Sequence, residues 1–302
     1  MLYNSMQELI GNTPLVRLNH FDLPADVRIY AKLELNNPAG SVKDRIGKAM
    51  IDDAEARGIL QPSSTMVAAT AGNTGLGLAF GALNRGYRVI FVVPDKFSTE
   101  KQALMRALGA EIINTPREAG MLGASAKAQE LLATIPNAVN LDQFSNPANP
   151  LAHYAGTGAE IYADLGNDID YFIAGAGSGG TFTGVMQYLK ERIPGVKGVL
   201  ADPAGSTMGG GEHFDYDIEG IGNDFVPHTM DLALVDRVIK VTDQEAFEMA
   251  RLLARKEGII AGSSSGAALA AALKLSETIE SGNIVTIFPD QGDRYFSKGL
   301  FE

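Results

Sequence analysis

Tyr171-Phe172-Ile173-Ala174-Gly175-Ala176-Gly177-Ser178-Gly179-Gly180-Thr181 is the stretch on which the fold turns. Four residues of strand character run into a glycine loop, and a helix-forming run follows from Thr181 to Arg192. Strand, tight turn and helix are the parts of a βαβ unit, whose crossovers build a mainly parallel sheet. The rhythm repeats on both sides. Val67 to Ala69 leads through Gly72-Asn73-Thr74-Gly75 into a helix over Leu76 to Arg85, and Arg88 to Val93 is a strand stopped by Pro94. A helix from about Ser98 to Leu108 precedes a strand at Glu111 to Ile113. The pattern continues with helices at 121–134 and 153–164, then strands at Ala138 to Leu141 and Val199 to Ala201. Thr242 opens a helix with Glu245 three residues on, a capping-box pattern, and a helix at 266–280 and a strand at Ile284 to Phe288 close the chain. The expected class is α/β, in three-layer domains with mainly parallel twisted sheets.

The chain has 302 residues, enough for one large domain or two smaller ones. Its net charge is −11 and no basic cluster stands out, which argues against nucleic acid or an anionic membrane as partner. There is no cysteine, so disulfides, thiolate metal sites and a cysteine nucleophile are excluded. The four histidines (His20, His153, His213 and His228) show no helical pairing, and no metal site is expected. Residues 65–84 carry no charge but are too rich in Gly, Thr and Asn for a membrane span. No signal peptide is read at the N-terminus, and the expected compartment is the cytoplasm.

Three glycine-rich segments carry chemistry. In the loop 175–181, glycines let main-chain N–H groups approach an anion at a helix N-terminus, with Ser178 and Thr181 adding hydroxyls. It satisfies G-x-G-x-x-G through Gly175, Gly177 and Gly180, with Asp202 beyond, so a dinucleotide remains open beside a simpler phosphate or an empty turn. In Thr70-Ala71-Gly72-Asn73-Thr74-Gly75, hydroxyl and amide donors converge where a carboxylate would fit, unless Asn73 or Thr74 simply caps the helix. Gly262-Ser263-Ser264-Ser265-Gly266 matches the nucleophile elbow of hydrolases, yet every histidine precedes Ser264 and the usual chain order fails. Ser264 is then a neutral hydroxyl partner for a ligand, or a cap.

Lys43 stands in the first turn of an amphipathic helix, after the turn-rich Asn36-Asn37-Pro38-Ala39-Gly40. First-turn N–H groups disfavour an ammonium, and shielding from water favours the neutral amine further. A neutral lysine is a nucleophile able to form an imine with an aldehyde. A solvated lysine beside Asp44 is the plainer alternative.

With Lys43 and these loops in view, the chain resembles the cysteine synthase/cystathionine β-synthase family of pyridoxal-phosphate enzymes, fold type II. The likeness is carried by Ile10-Gly11-Asn12-Thr13-Pro14-Leu15, Ser41-Val42-Lys43-Asp44-Arg45, residues 71–75, 143–150, 177–181, Glu219-Gly220-Ile221-Gly222 and Ser264-Ser265-Gly266. The resemblance implies that Lys43 forms the imine with pyridoxal 5'-phosphate and that Gly177, Ser178, Gly179, Gly180 and Thr181 hold its phosphate. It implies Asn73 on the ring hydroxyl and Ser264 at the ring nitrogen. Thr70, Ala71, Gly72, Asn73, Thr74 and Gln143 would bind the substrate carboxylate, with Gly220 and Asp224 near the substrate; Asp224 can equally be a loop-capping carboxylate.

The implied reaction is β-replacement on O-acetyl-L-serine through an aminoacrylate, with sulfide giving L-cysteine. Cystathionine from homocysteine is the alternative, because Ala71 looks like the O-acetylserine-dependent cystathionine β-synthases and the 219–225 segment looks closer to cystathionine β-synthases. The 143–158 segment and Gly292 to Ser297 look instead like the cysteine synthase B type. An NAD-dependent oxidoreductase on 175–180, and a ligand sensor keeping the fold, are the alternatives of other classes. The family further implies a larger domain of residues 1–44 and 146–302, a smaller mobile one of 45–145, and a homodimer.

Overall fold

The computed structural model describes residues 2–95 and 99–302. In chain order the strands are β1 (Leu15–Leu18), β2 (Asp26–Leu33), β3 (Thr65–Ala69), β4 (Arg88–Pro94), β5 (Glu111–Thr115), β6 (Ala138–Val139), β7 (Tyr171–Ala174), β8 (Lys197–Pro203), β9 (Arg237–Val241) and β10 (Ser281–Phe288). The helices are α1 (Lys43–Ala56), α2 (Asn73–Gly81), α3 (Thr99–Ala107), α4 (Gly120–Thr134), α5 (Ala148–Ala152), α6 (Ala159–Leu165), α7 (Gly180–Arg192), α8 (Asp243–Glu257) and α9 (Ser263–Ser276). Contacts divide the chain into two compact units, Met1–Ile10 with Lys43–Ala148, and Gly11–Val42 with Asn149–Glu302.

The first unit holds a parallel sheet in the order β5-β4-β3-β6. In β4 the run Val89-Ile90-Phe91-Val92-Val93 is buried throughout, as a strand covered on both faces requires. Ala124 and Ala128 of α4 pack with Val67, Ile90 and Val92. Helices α1 and α2 meet backbone to backbone: a Cβ on Gly47 would lie 2.2 Å from the Gly77 carbonyl oxygen.

The second unit holds a sheet ordered β1-β2-β10-β7-β8-β9, antiparallel only between β1 and β2. Strands β1, β2 and β9 are not expected from the sequence. In β2, Arg28 and Lys32 interrupt the apolar run, yet Lys32 is 1% exposed. Its Nζ donates to the Thr13 carbonyl at 2.6 Å and pairs with Glu160 at 2.9 Å, so a charge stands in a core strand because it is matched there. In the same unit α9 is buried along nearly its whole length, and a Cβ on Gly266 would lie 1.9 Å from the Ala246 carbonyl oxygen. The small residues of α9 are what let it lie against α8.

Helix boundaries move for physical reasons. The helix expected at 153–164 is interrupted: α5 ends at Ala152, His153–Gly158 is π-helical, and α6 follows. Gly158 faces Tyr188 of α7, where a Cβ would lie 2.9 Å from the tyrosine Cβ. The helix expected at 266–280 is α9, which already begins at Ser263 behind the N-cap Gly262. The helix expected over 76–85 starts at Asn73 behind Gly72 and stops at Gly81. The capping box at Thr242 forms as expected. The expected helix start at Ser98 lies outside the described residues.

Candidate active site

Four helices of this fold begin very differently. At α8, the Thr242 and Glu245 side chains close the first turn on itself. At α2, α7 and α9 the N-cap is glycine and no side chain caps the turn. First-turn N–H groups without a side-chain partner are the natural receptors for an anion or a polar ligand atom.

In the first unit, Lys43 opens α1 and is partly shielded. Its backbone is gripped by α2, since a Cβ on Gly77 would lie 2.2 Å from the Lys43 carbonyl oxygen. The N-terminal segment of the same α2 carries the expected carboxylate donors. Thr70 follows β3 and is buried, while Ala71, Gly72 and Asn73 are half-buried. Asn73 is the first residue of α2, not its cap. The Thr74 hydroxyl donates to Gln143 Oε1 at 2.7 Å. Thr70, Thr74 and Gln143 share one cavity of about 170 Å3, walled by Met50, Leu78 and Phe144. Residues 70 and 143, far apart in sequence, are thus brought together by the β3 and β6 ends of one sheet.

In the second unit, the loop 177–181 joins β7 to α7. Gly179 takes φ of +83°, and Cβ atoms at Gly177, Gly179 and Gly180 would lie 2.4, 2.4 and 2.0 Å from the Gly220 oxygen, Met230 Cβ and Asn149 Oδ1. Only glycine permits this turn. The loop is also held from outside. Asn223 Nδ2 donates to the Gly177 carbonyl at 2.5 Å, the Gly222 N–H to the Ala176 carbonyl at 2.8 Å and the Thr229 hydroxyl to the Ser178 carbonyl at 2.5 Å. Gly220, at φ +85°, is therefore beside the loop. Ser263 Oγ accepts the Glu219 N–H at 3.0 Å, which ties the start of α9, and so buried Ser264, to the same segment. Asp224 is exposed. Burial first, then the charges of Asp202, Asp224 and Asp243, push the Tyr216 phenol up.

A phosphate fits this loop by the chemistry of its donors: glycine N–H groups at an uncapped helix start, with Ser178 and Thr181 hydroxyls among them. The dinucleotide reading fares worse. Asp202, its candidate ribose partner, is 1% exposed, accepts from Lys240 Nζ at 2.6 Å and from the Gly209 N–H at 2.9 Å. It anchors the 205–225 loop and is not presented to a ligand. Lys240→Met is expected to lower the free energy of unfolding by about 3 kcal/mol in urea titrations, because it strands that buried carboxylate. An unchanged midpoint would show the pair to be dispensable.

The model of the family described as "Pyridoxal-phosphate dependent enzyme" matches residues 6–290. The chain belongs to that family. Pyridoxal phosphate is accordingly its cofactor, and the NAD-dependent reading is set aside. Among curated relatives, it is 50% identical to the O-acetylserine dependent cystathionine β-synthase of Bacillus subtilis, over 98% of this chain and 96% of that protein. It is 47% identical to cysteine synthase A of Escherichia coli, over 97% of this chain and 93% of that one. A crystal structure of O-acetylserine dependent cystathionine β-synthase from Helicobacter pylori superposes with a TM-score of 0.95 at 46% identity, covering all of both chains. The fold type II α/β class and the family resemblance read from the sequence both hold.

Several residues of the site escaped the sequence reading. His153 and Asn149 back the loop 177–181, and Asn223 and Thr229 hold its carbonyls. Lone histidines and asparagines carry no periodic signal; what could have marked Asn149 and His153 is their place in 143–158, and Asn223 its place in 219–225, while Thr229 lies outside the segments that carried the likeness. Among the described residues no cluster of His, Asp or Glu is arranged for a metal, and no helix is long and apolar enough to cross a membrane.

Proposed function

We propose that the protein replaces the acetate of O-acetyl-L-serine by sulfide to give L-cysteine. The observation that carries this is the first unit's construction. A lysine that opens one helix is locked, backbone to backbone, onto the helix whose start offers donors to a carboxylate. Bound pyridoxal phosphate supplies the electron sink.

The chain's own residues do the rest. The loop 177–181 holds the phosphate, Asn73 bonds the ring hydroxyl, and Ser264 meets the ring nitrogen. A serine there brings no charge to the ring, which keeps the sink weak and favours prompt loss of acetate. Lys43 Nζ takes the Cα proton of the substrate and returns it after the nucleophile has added at Cβ. Thr70 to Thr74 and Gln143 grip the substrate carboxylate. Thr74 feeds the Gln143 amide oxygen, which turns the Gln143 NH2 outward as a donor. Gly220 and Asp224 border the substrate, with Asp224 acting near the incoming nucleophile. A homodimer in the cytoplasm, with residues 45–145 as the mobile part that closes over the carboxylate, completes the reading.

Homocysteine is the second nucleophile to weigh, on the 50% identity to the Bacillus subtilis protein. The test offers the purified holoenzyme O-acetylserine with sulfide and homocysteine in competition and separates the products. Cysteine in excess supports the proposal, and cystathionine in excess moves it to the second reading. No acetate release with either defeats both. In the same assay Thr74→Val is expected to raise KM for O-acetylserine by roughly tenfold, because the Gln143 amide loses the hydroxyl that orients its NH2 toward the carboxylate, with a smaller change in kcat. An unchanged KM would remove Thr74 and Gln143 from the carboxylate site.

A further inference from the structure

His153 has no role in the reaction described above, yet it is 1% exposed and opens the π-helical turn. Its Nδ1 lies 2.9 Å from the hydroxyl of Thr157, which is fully buried, and its Nε2 lies 3.1 Å from the hydroxyl of Thr181 in the phosphate loop. A neutral imidazole has one N–H and one bare nitrogen, so the two threonines cannot be used alike. With Nε2 bare, Thr181 would give its single hydrogen to the ring and have none for an anion. With the proton on Nε2 the chain runs one way: Thr157 donates to Nδ1, Nε2–H donates to Thr181 Oγ1, and the Thr181 hydrogen points onward. Asn149 treats the other loop hydroxyl similarly, since its Nδ2 donates to Ser178 Oγ at 2.9 Å. The backing segment 149–157 therefore occupies both hydroxyl oxygens from behind and leaves both hydrogens for whatever the loop binds.

We infer that His153 is a positioning residue for the cofactor's phosphate: held by Thr157 in the Nε2–H form, it makes Thr181 an obligate donor. The inference rests on the reading that residues 177–181 hold the phosphate. The π turn is what brings both Nδ1 and Nε2 into register, one on its own helix and one on α7. Chains of this kind strengthen each member by polarisation.

The test titrates apoprotein with pyridoxal phosphate and records the phosphorus NMR resonance of the bound cofactor. The His153→Gln amide reaches where Nε2 stood, whereas the shorter His153→Asn amide reaches only where Nδ1 stood. The Gln variant is expected to bind within roughly threefold of wild type and the Asn variant roughly tenfold more weakly, with its phosphate resonance shifted. Equal weakening of the two, or an Asn variant that binds like wild type, overturns the inference, because a space-filling role would then suffice. If thermal melts show that His153→Asn does not fold, the isosteric Thr157→Val tests the chain from its far end. A shifted resonance and several-fold weaker binding support the inference, and an unchanged pair overturns it. Thr181→Val separates the two levels of the argument. If it leaves affinity and resonance unchanged, the Thr181 hydroxyl is not a phosphate donor and the inference about His153 fails, while the glycine N–H groups of 177–181 still serve the phosphate reading.

Discussion

Lys43→Ala is expected to abolish covalent cofactor attachment and to lower kcat with O-acetylserine by about a thousandfold or more. Two losses combine. The amine that would hold the cofactor as an imine disappears, and so does the base that takes and returns the Cα proton; general-base catalysis alone contributes about 10²–10⁴-fold. The fold should survive, because the Lys43 contact with α2 is made by the backbone carbonyl and persists in alanine. Borohydride reduction followed by peptide mapping checks the attachment: wild type should carry the cofactor on the Lys43 peptide, the variant nowhere. A variant that retains a reducible link elsewhere, or more than a few per cent of wild-type turnover, would remove Lys43 from its proposed place. Lys43→Arg makes a useful companion, since it keeps a cation at this helix start but cannot form the imine.

Gly77→Ala is expected to destabilise the protein by about 3 kcal/mol and to lower its melting temperature by about 5 °C. The added Cβ would lie 2.2 Å from the Lys43 carbonyl oxygen and 2.6 Å from its carbonyl carbon. Neither is a flexible side-chain end that can turn away, so α1 and α2 must separate. That displacement acts directly on the first turn of α1, so a fall in cofactor affinity should accompany the loss of stability. Gly195→Ala is the control, because nothing lies within 4 Å of its Cβ and its φ is ordinary. If the two alanine variants melt together, the close contact between α1 and α2 is not the constraint described here.

Much of the fold could be read along the chain because it is encoded locally. The buried run of β4, the Thr242–Glu245 cap and the glycine turns before α2, α7 and α9 each declare themselves within a few residues. Lys43 at the start of α1 was legible for the same reason, as a first-turn position is a local property. What failed was equally physical. β2 hid because Lys32 is a charge in a core strand, matched by Glu160 some 130 residues away. The helix expected at 153–164 concealed a π turn, because the packing of Gly158 on Tyr188 is not written in the helix itself. Asp202 matched a dinucleotide pattern by spacing alone, while its partner Lys240 arrives from a neighbouring strand.

By itself, then, the sequence determined the α/β alternation, the lysine at its helix start and the three glycine turns before helices. Periodicity, caps and turns are short-range effects of backbone sterics and hydrogen bonding. Only the tertiary structure decided which polar groups meet one another. It set Thr74 on Gln143, His153 on Thr181 and Lys240 on Asp202, pairs separated by 69, 28 and 38 residues. A hydrogen bond depends on distance and direction in space, and strand order and helix crossing bring those atoms together whatever their spacing along the chain.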